Sequence, residues 1–176
     1  MRKVVLFIAM SLDEYIADRH GKVEWLQGQG NDDENVDAYS EFVKNIDTIL
    51  MGWNTYHQIV TELSPAQWIY GDFTTYVITH HKGFFNEPIL FTQENPIDLV
   101  KKLKQQIGKD IWICGGAHLI YQLMKADLID RYHISVIPTI LGKGIRLFGE
   151  LSKEQKLSLI RTRNYNGIVE LVYDLR

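Results

Sequence analysis

Three short stretches hold the residues whose types and spacing could do chemistry. In the first, the apolar run Ile111-Trp112-Ile113-Cys114 stops at Gly115-Gly116, and Ala117, Ile120, Leu123 and Met124 then recur at helical spacing. That pattern is a strand, a tight glycine turn and a helix N-terminus. Glycines there let a ligand meet bare backbone, and the N–H groups of a first helical turn attract phosphate. Close packing of the helix on its strand, with no ligand, explains the same residues equally well. The second stretch is Met51-Gly52-Trp53-Asn54-Thr55-Tyr56, a strand, a glycine and a helix start, with Asn54 and Thr55 as phosphate contacts or as ordinary caps. The third, Thr79-His80-His81-Lys82, follows another strand and by itself reads as a solvated turn. Three polar or glycine-bearing strand ends in 176 residues are hard to explain as independent accidents. Together they suggest an extended phosphate-bearing ligand across the edge of a sheet.

Such an edge needs parallel strands with helices between them. Val4 to Met10 is continuously apolar, as expected of a strand covered on both faces. A polar loop follows through Gly30, with Trp25 and Leu26 as its only large apolar pair. Asn31 to Asn45 reads as a helix with Val36, Tyr39, Phe42 and Val43 on one face. Thr48 to Met51 is a second strand, ending at Gly52, with a short helix from near Asn54. Thr74 to Thr79 and Ile89 to Phe91 are the next strands. Asn95-Pro96 opens a helix, Asn as cap and Pro at the first helical position, and Ile97, Val100, Leu103 and Ile107 form its core stripe. Ile111 to Cys114 and Tyr132 to Ile137 are strands. At the C-terminus, Leu157 to Arg163 and Ile168 to Tyr173 flank Asn166-Gly167, which supplies the positive φ angles of a hairpin turn. Val169, Leu171, Tyr173 and Leu175 alternate with more polar positions. The pattern is an α/β domain spanning 1–176, with a mostly parallel sheet and an antiparallel edge, in which ligands bind beyond the C-terminal strand ends.

Composition narrows the function classes. The hydrophobic content of 45% suits one domain with a full core, and the formal net charge of −3 argues against nucleic acid as main partner. Lys101, Lys102 and Lys104 form the one basic cluster, read as a solvated helix face. Cys114 is the only cysteine; it reads as a buried structural thiol in a reducing compartment. Met1 to Met10 resembles a signal peptide only briefly, because Asp13 and Glu14 follow with no small-residue cleavage site. No apolar run is long enough to span a membrane, so the reading is cytoplasmic. The six histidines show no metal-site spacing, and Ser11 lacks a paired base. His118 suits either a phosphate contact or a plain helix surface.

Four pieces in order carry a family resemblance. They are Ser11-Leu12-Asp13-Glu14-Tyr15-Ile16-Ala17 with a later Trp25, then Met51 to Tyr56, then Gly115-Gly116, then Pro138-Thr139-Ile140-Leu141-Gly142-Lys143-Gly144-Ile145-Arg146-Leu147-Phe148. They resemble the dihydrofolate reductase fold, and more closely the branch containing the C-terminal reductase domain of bifunctional riboflavin-biosynthesis deaminase-reductases. No deaminase zinc signature accompanies them. The resemblance implies a three-layer α/β/α fold and an NADPH-dependent reductase that pairs as a homodimer. It implies that the pyrophosphate lies between Gly52, Trp53, Asn54 and Thr55 on one side and Gly115, Gly116, Ala117, His118, Leu119 and Ile120 on the other. It also implies a cis Gly115–Gly116 bond, a loop Thr79, His80, His81 and Lys82 at the adenosine end, and Ala9, Met10 and Trp25 near the nicotinamide.

Departures from the family pattern bear on selectivity and substrate. Trp53 stands where an Arg usually pairs with the 2′-phosphate of NADPH, so either His80, His81 or Lys82 supplies charge or NADH is also accepted. Glu14 replaces a usual glycine. Counting back from Met51 places Asp37 near the substrate carboxylate of dihydrofolate reductases, against the competing reading of a solvated helical aspartate. The Pro-rich segment that precedes that carboxylate is missing, which disfavours a strict dihydrofolate reductase. Asp13 is a second carboxylate, read as a turn cap, and no basic pair stands out for a ribose phosphate beyond Arg19 or Arg146. The leading reading is hydride transfer from NADPH to a small heterocycle, with 5-amino-6-(5-phosphoribosylamino)uracil reductase as the named activity. A non-catalytic NADP-binding module is the alternative from another class.

Overall fold

The structure, a computed structural model, describes residues 1–71, 73–81 and 88–176. In chain order the elements are β1 (Val4–Ser11), β2 (Tyr15–Asp18), a 3₁₀ turn (Asp32–Glu34), α1 (Ala38–Val43), β3 (Ile46–Gly52) and α2 (Trp53–Gln58), which continues as a π-helical turn (Ile59–Leu63). Then come β4 (Thr74–Ile78), β5 (Ile89–Thr92), α3 (Pro96–Lys104), β6 (Asp110–Gly115), α4 (Ala117–Lys125), β7 (Arg131–Ile137), β8 (Gly144–Arg146), β9 (Leu157–Tyr165) and β10 (Ile168–Leu175). The main sheet has the order β5-β4-β3-β6-β1-β7-β10-β9. Its first six strands are parallel, and β10 and β9 close it antiparallel. This is the α/β architecture read from the sequence. No helix among the described residues is long and apolar enough to cross a membrane.

Strict alternation along the central strands explains the three layers. Val4, Leu6, Leu50, Ile111 and Ile113 point to one face, where Leu99, Val100 and Leu103 of α3 and Leu119, Ile120, Leu123 and Met124 of α4 cover them. Ile49, Met51, Val77 and Trp112 point to the other, beneath α1 and α2. Phe42 of α1 stacks on Phe7 of β1 with ring centroids 4.1 Å apart. Burying each large apolar side chain contributes about 1.5–3 kcal/mol before ordering costs.

The structure corrects several sequence expectations. The helix expected over 31–45 is α-helical only at Ala38–Val43. The preceding segment is tied instead to the hairpin turn: the Gln29 N–H donates to the Asn166 carbonyl (2.9 Å) and the Asn31 N–H to Asn166 Oδ1 (2.9 Å). These tertiary bonds override local helix propensity. The loop expected through Gly30 contains β2, which pairs with β8; a Cβ at Gly144 would lie 2.1 Å from the Ala17 carbonyl oxygen, so this short ladder needs glycine there. Ile107 is fully exposed because α3 ends at Lys104, and the stripe is completed by Leu99. Lys104 is not solvated like its neighbours: its Nζ meets Asp130 Oδ2 at 2.7 Å.

On β10 the fully covered positions are Glu170 and Val172, whereas Val169 is exposed. The buried face therefore includes a charge. Arg163 (2.9 Å) and Arg161 (3.1 Å) donate to the Glu170 carboxylate, and both arginines also reach Glu41 of α1. His133 Nε2 lies 3.1 Å from the same carboxylate. Asn166 (φ 46°) and Gly167 (φ 74°) form the left-handed pair expected of the hairpin turn.

Candidate functional site

β3 and β6 are neighbours, with Met51 opposite Gly115, so both glycine turns leave the sheet side by side. Gly52 caps α2 and Gly116 caps α4, and among the described residues no side chain caps either helix. The first-turn N–H groups of both helices thus lack a protein side chain to accept from them, which suits an anion. An ideal Cβ on Gly52 would meet only the Gly116 nitrogen, at 3.8 Å, so bare backbone faces bare backbone. Gly115 has φ +146°, a region that disfavours side chains, and the Gly115–Gly116 bond is cis. Thr55 fills the space beside both glycines: a Cβ at Gly115 or Gly116 would stand 3.2 or 3.3 Å from its Oγ1. Close packing and a phosphate cradle are therefore built from the same atoms. Bare backbone at Gly52 and the uncapped first turns have the donor chemistry that a phosphate group needs.

Around this cradle the remaining predicted residues fall unequally. Asn54 is exposed and Thr55 half-buried. His118 is exposed and its Nδ1 is 2.9 Å from Gln122 Nε2. Leu119 and Ile120 turn their side chains into the core, which leaves only their backbone for a ligand. Ala9 and Met10 are half-buried near the end of β1, Ala9 opposite Ser135. Trp25 is half-buried, its indole N–H donating to the Lys22 carbonyl (3.1 Å). The segment after β2 is strapped to the helix that follows Gly52: Gln58 Nε2 donates to the Gly21 carbonyl (2.7 Å), and Lys22 pairs with Glu62 (2.7 Å).

Next to Gly52, Trp53 is the centre of an aromatic group. Its ring lies 4.5 Å from His81, 5.7 Å from Tyr56, 5.8 Å from His57 and 6.3 Å from Phe91. Thr79 is buried just after β4, and its Oγ1 accepts the His81 N–H (3.0 Å), closing a turn from Thr79 to His81. His80 and His81 are exposed, and Lys82 lies outside the described residues.

Asp37 does not have the burial that the resemblance implies for a substrate carboxylate. It is exposed at the N-cap of α1, and its Oδ1 accepts the Ser40 N–H (2.9 Å). Hydrogen bonding from Ser40 holds its carboxyl below the usual carboxylate range. Asp13 is a tether, as the turn-cap reading has it. Ser11 Oγ donates to it (2.6 Å), as do the Leu141 (3.0 Å) and Gly142 (2.7 Å) N–H groups. The Ser11 bond first, and then the two backbone bonds, lower its pKa to about 2.

One pair escaped the sequence reading. Cys114, immediately before the glycine turn, is half-buried rather than sealed in the core, and its Sγ lies 3.3 Å from the Tyr70 hydroxyl. Burial pushes the thiol up to about 11 and raises the Tyr70 phenol as well, so both stay protonated near neutrality. Tyr70 belongs to an irregular segment 44 positions away, and no local pattern announces the contact.

Comparisons with known proteins show the family and the fold. Residues 2–169 match the RibD C-terminal domain. The chain is 40% identical to the uncharacterized protein YwjB of Bacillus subtilis over 98% of its own length and 97% of that protein's. A putative riboflavin biosynthesis protein from Shewanella sp. PV-4 superimposes with a TM-score of 0.85 at 26% identity, covering 99% of both chains. Dihydrofolate reductase from Enterococcus faecalis, solved as a complex with NADP(H), shares the fold at a TM-score of 0.64 and 16% identity, covering 99% of this chain and 96% of that one.

Proposed function

Because the chain belongs to the RibD C-terminal domain family, a family of oxidoreductase-type enzymes, we propose that it is a reductase that uses NADPH to reduce a small planar heterocycle. The observation that carries this reading is the facing pair of glycine turns, Gly52 and Gly115–Gly116, at adjacent parallel strand ends. The pyrophosphate sits between them, held by the first-turn N–H groups of α2 and α4. The adenosine lies toward Trp53, Thr79, His80 and His81. The nicotinamide lies toward Ala9, Met10 and Trp25, where β1 and the strapped segment after β2 exclude water. The bound cofactor supplies the hydride, and the chain supplies orientation and a dry site. The Enterococcus enzyme's NADP(H) supports this choice of cofactor.

For the substrate, the family and the Shewanella protein support a riboflavin-pathway pyrimidine, with an activity like that of 5-amino-6-(5-phosphoribosylamino)uracil reductase. Asp37 is the carboxylate proposed for the substrate side by resemblance; its exposed, capping position favours a second reading, an NADP-binding module without turnover. The exposed Leu159 and Ile160 on edge strand β9 support a homodimer. Tryptophan quenching by NADPH, followed by NADPH oxidation with a pyrimidinone substrate, tests the proposal. Saturable binding with oxidation supports the reductase; binding without oxidation supports the module.

A further inference from the structure

A group of polar side chains lies on the sheet face beneath α1 and α2, one residue before the glycine turn. β6 bulges there: Leu50 of β3 pairs with Ile113 and Met51 with Gly115, so Cys114 has no residue opposite it on β3. A bulge re-aims the side chain it carries, and bulges gather next to active sites. Cys114 is half-buried, its Sγ lies 3.3 Å from the Tyr70 hydroxyl, and either atom can donate. Tyr70 and the exposed Tyr39 of α1 both stand edge-on to the buried Trp112, with ring centroids 5.1 and 6.0 Å from it. Burial first, and then the nearby Cys114 sulfur, raises the Tyr39 phenol, so its hydroxyl is within electrostatic reach of the pair. Phe7 of β1 packs on the same layer as Cys114, and Ala9, two residues beyond Phe7, faces that layer by strand alternation.

We propose that the Tyr70 hydroxyl, seated on Cys114 Sγ, recognises the substrate by taking the lactam edge of a neutral, planar heterocycle. This rests on the proposed reductase reading, which puts the nicotinamide at Ala9 on the same face. The chemistry of the pair selects the ligand. A phenol has one O–H donor and accepts through its lone pairs, and a thiol can donate to it or accept from it. By exchanging which of the two donates, the pair meets either the N–H or the C=O of a lactam. Burial keeps both groups protonated near neutrality, so the pair offers no charge to hold a carboxylate or a phosphate. Tyr39 and Tyr70 add aromatic surface that suits a flat ring. Cys114 orients the Tyr70 hydroxyl, and the bulge in β6 sets the sulfur where it can do so.

The test is alkylation of the full chain by iodoacetamide at neutral pH, read by intact mass. Cys114 is the only cysteine, so the thiol adduct reports on this site alone. Tryptophan quenching measures NADPH binding in the same samples. With NADPH bound, saturating 5-aminouracil or pterin, both neutral and lactam-edged, should slow alkylation about fivefold or more by occupying the site. Orotate, a pyrimidine that carries a carboxylate, should not protect. Tyr70→Phe keeps the ring against Trp112 and removes only the hydroxyl. It should raise the concentration needed for half-protection about fivefold, as expected for one neutral hydrogen bond, and leave NADPH affinity at the native value. Tyr121→Phe removes the hydroxyl that donates to the Glu150 carbonyl from α4, on the opposite layer, and should leave half-protection unchanged. A thiol that does not react in the free protein, no protection by either heterocycle, equal protection by orotate, or half-protection unchanged in Tyr70→Phe overturns the inference, while saturable NADPH binding leaves the reductase reading standing. Absence of NADPH binding overturns that reading and the inference with it.

Discussion

The Thr55 hydroxyl oxygen lies against Gly116, where a Cβ would stand 3.3 Å away, so the first turn of α2 and the first turn of α4 interlock at the ends of neighbouring strands. Gly116 itself has φ −92°, a value any residue accepts. Gly116→Val should therefore fold with a modest loss of stability while its side chain invades the cradle. NADPH affinity should fall at least about tenfold, a loss of about 1.4 kcal/mol. Unchanged affinity, measured by tryptophan quenching, would return the glycine pair to a packing role.

Asp13 couples the end of β1 to the loop at Leu141 and Gly142. Its folded pKa of about 2 lies below the ordinary aspartate value of 3.8, so its contribution is full above that value and is lost as pH falls from 3.8 toward 2. Thermal melting across that window should show a steeper loss for the native protein than for Asp13→Asn. Parallel curves would detach the tether from stability.

The buried Glu170 carboxylate joins Arg161, Arg163 and His133 across three strands. Glu170→Ala removes the partner of cations held against the sheet and should cost about 3 kcal/mol or more by urea unfolding. A cost below about 1 kcal/mol would show that the arginines relax into solvent, through Glu41.

The register of α3 separates two apolar residues of the same run. Leu103→Ala should cost about 3 kcal/mol, because Leu103 is buried, and Ile107→Ala should stay within about 0.5 kcal/mol, because Ile107 lies beyond the helix in solvent. Similar costs for both would mean that the helix runs on past Lys104.

These residues also show what was legible in the chain. The glycine turns could be read because each pairs an apolar run with a residue type whose backbone use is distinctive. The Asn166-Gly167 turn was readable for the same reason. Ile107 and the 31–45 helix misled because periodicity records a face without recording where tertiary bonds stop the helix; Asn166, 135 positions from Asn31, decides that. β2 and β8 are short, and their pairing depends on the fit of Gly144 against Ala17, which leaves no periodic trace. On the site, the proposed cofactor half follows local rules, since strand ends and helix starts are adjacent in sequence. The Tyr70–Cys114 contact joins distant segments and is visible only once folded. Asp37 was placed by counting alone, and its position was set by the tethered loop before it.

Binding of a nicotinamide dinucleotide between the two facing glycine turns, as proposed, has a direct optical readout. Trp53 adjoins Gly52, so titration of the native protein with NADPH should quench tryptophan emission saturably, with a dissociation constant well below about 1 mM, that is, a binding free energy more favourable than about −4 kcal/mol. Emission that declines without saturation up to about 1 mM, for NADPH and NADH alike, would contradict it.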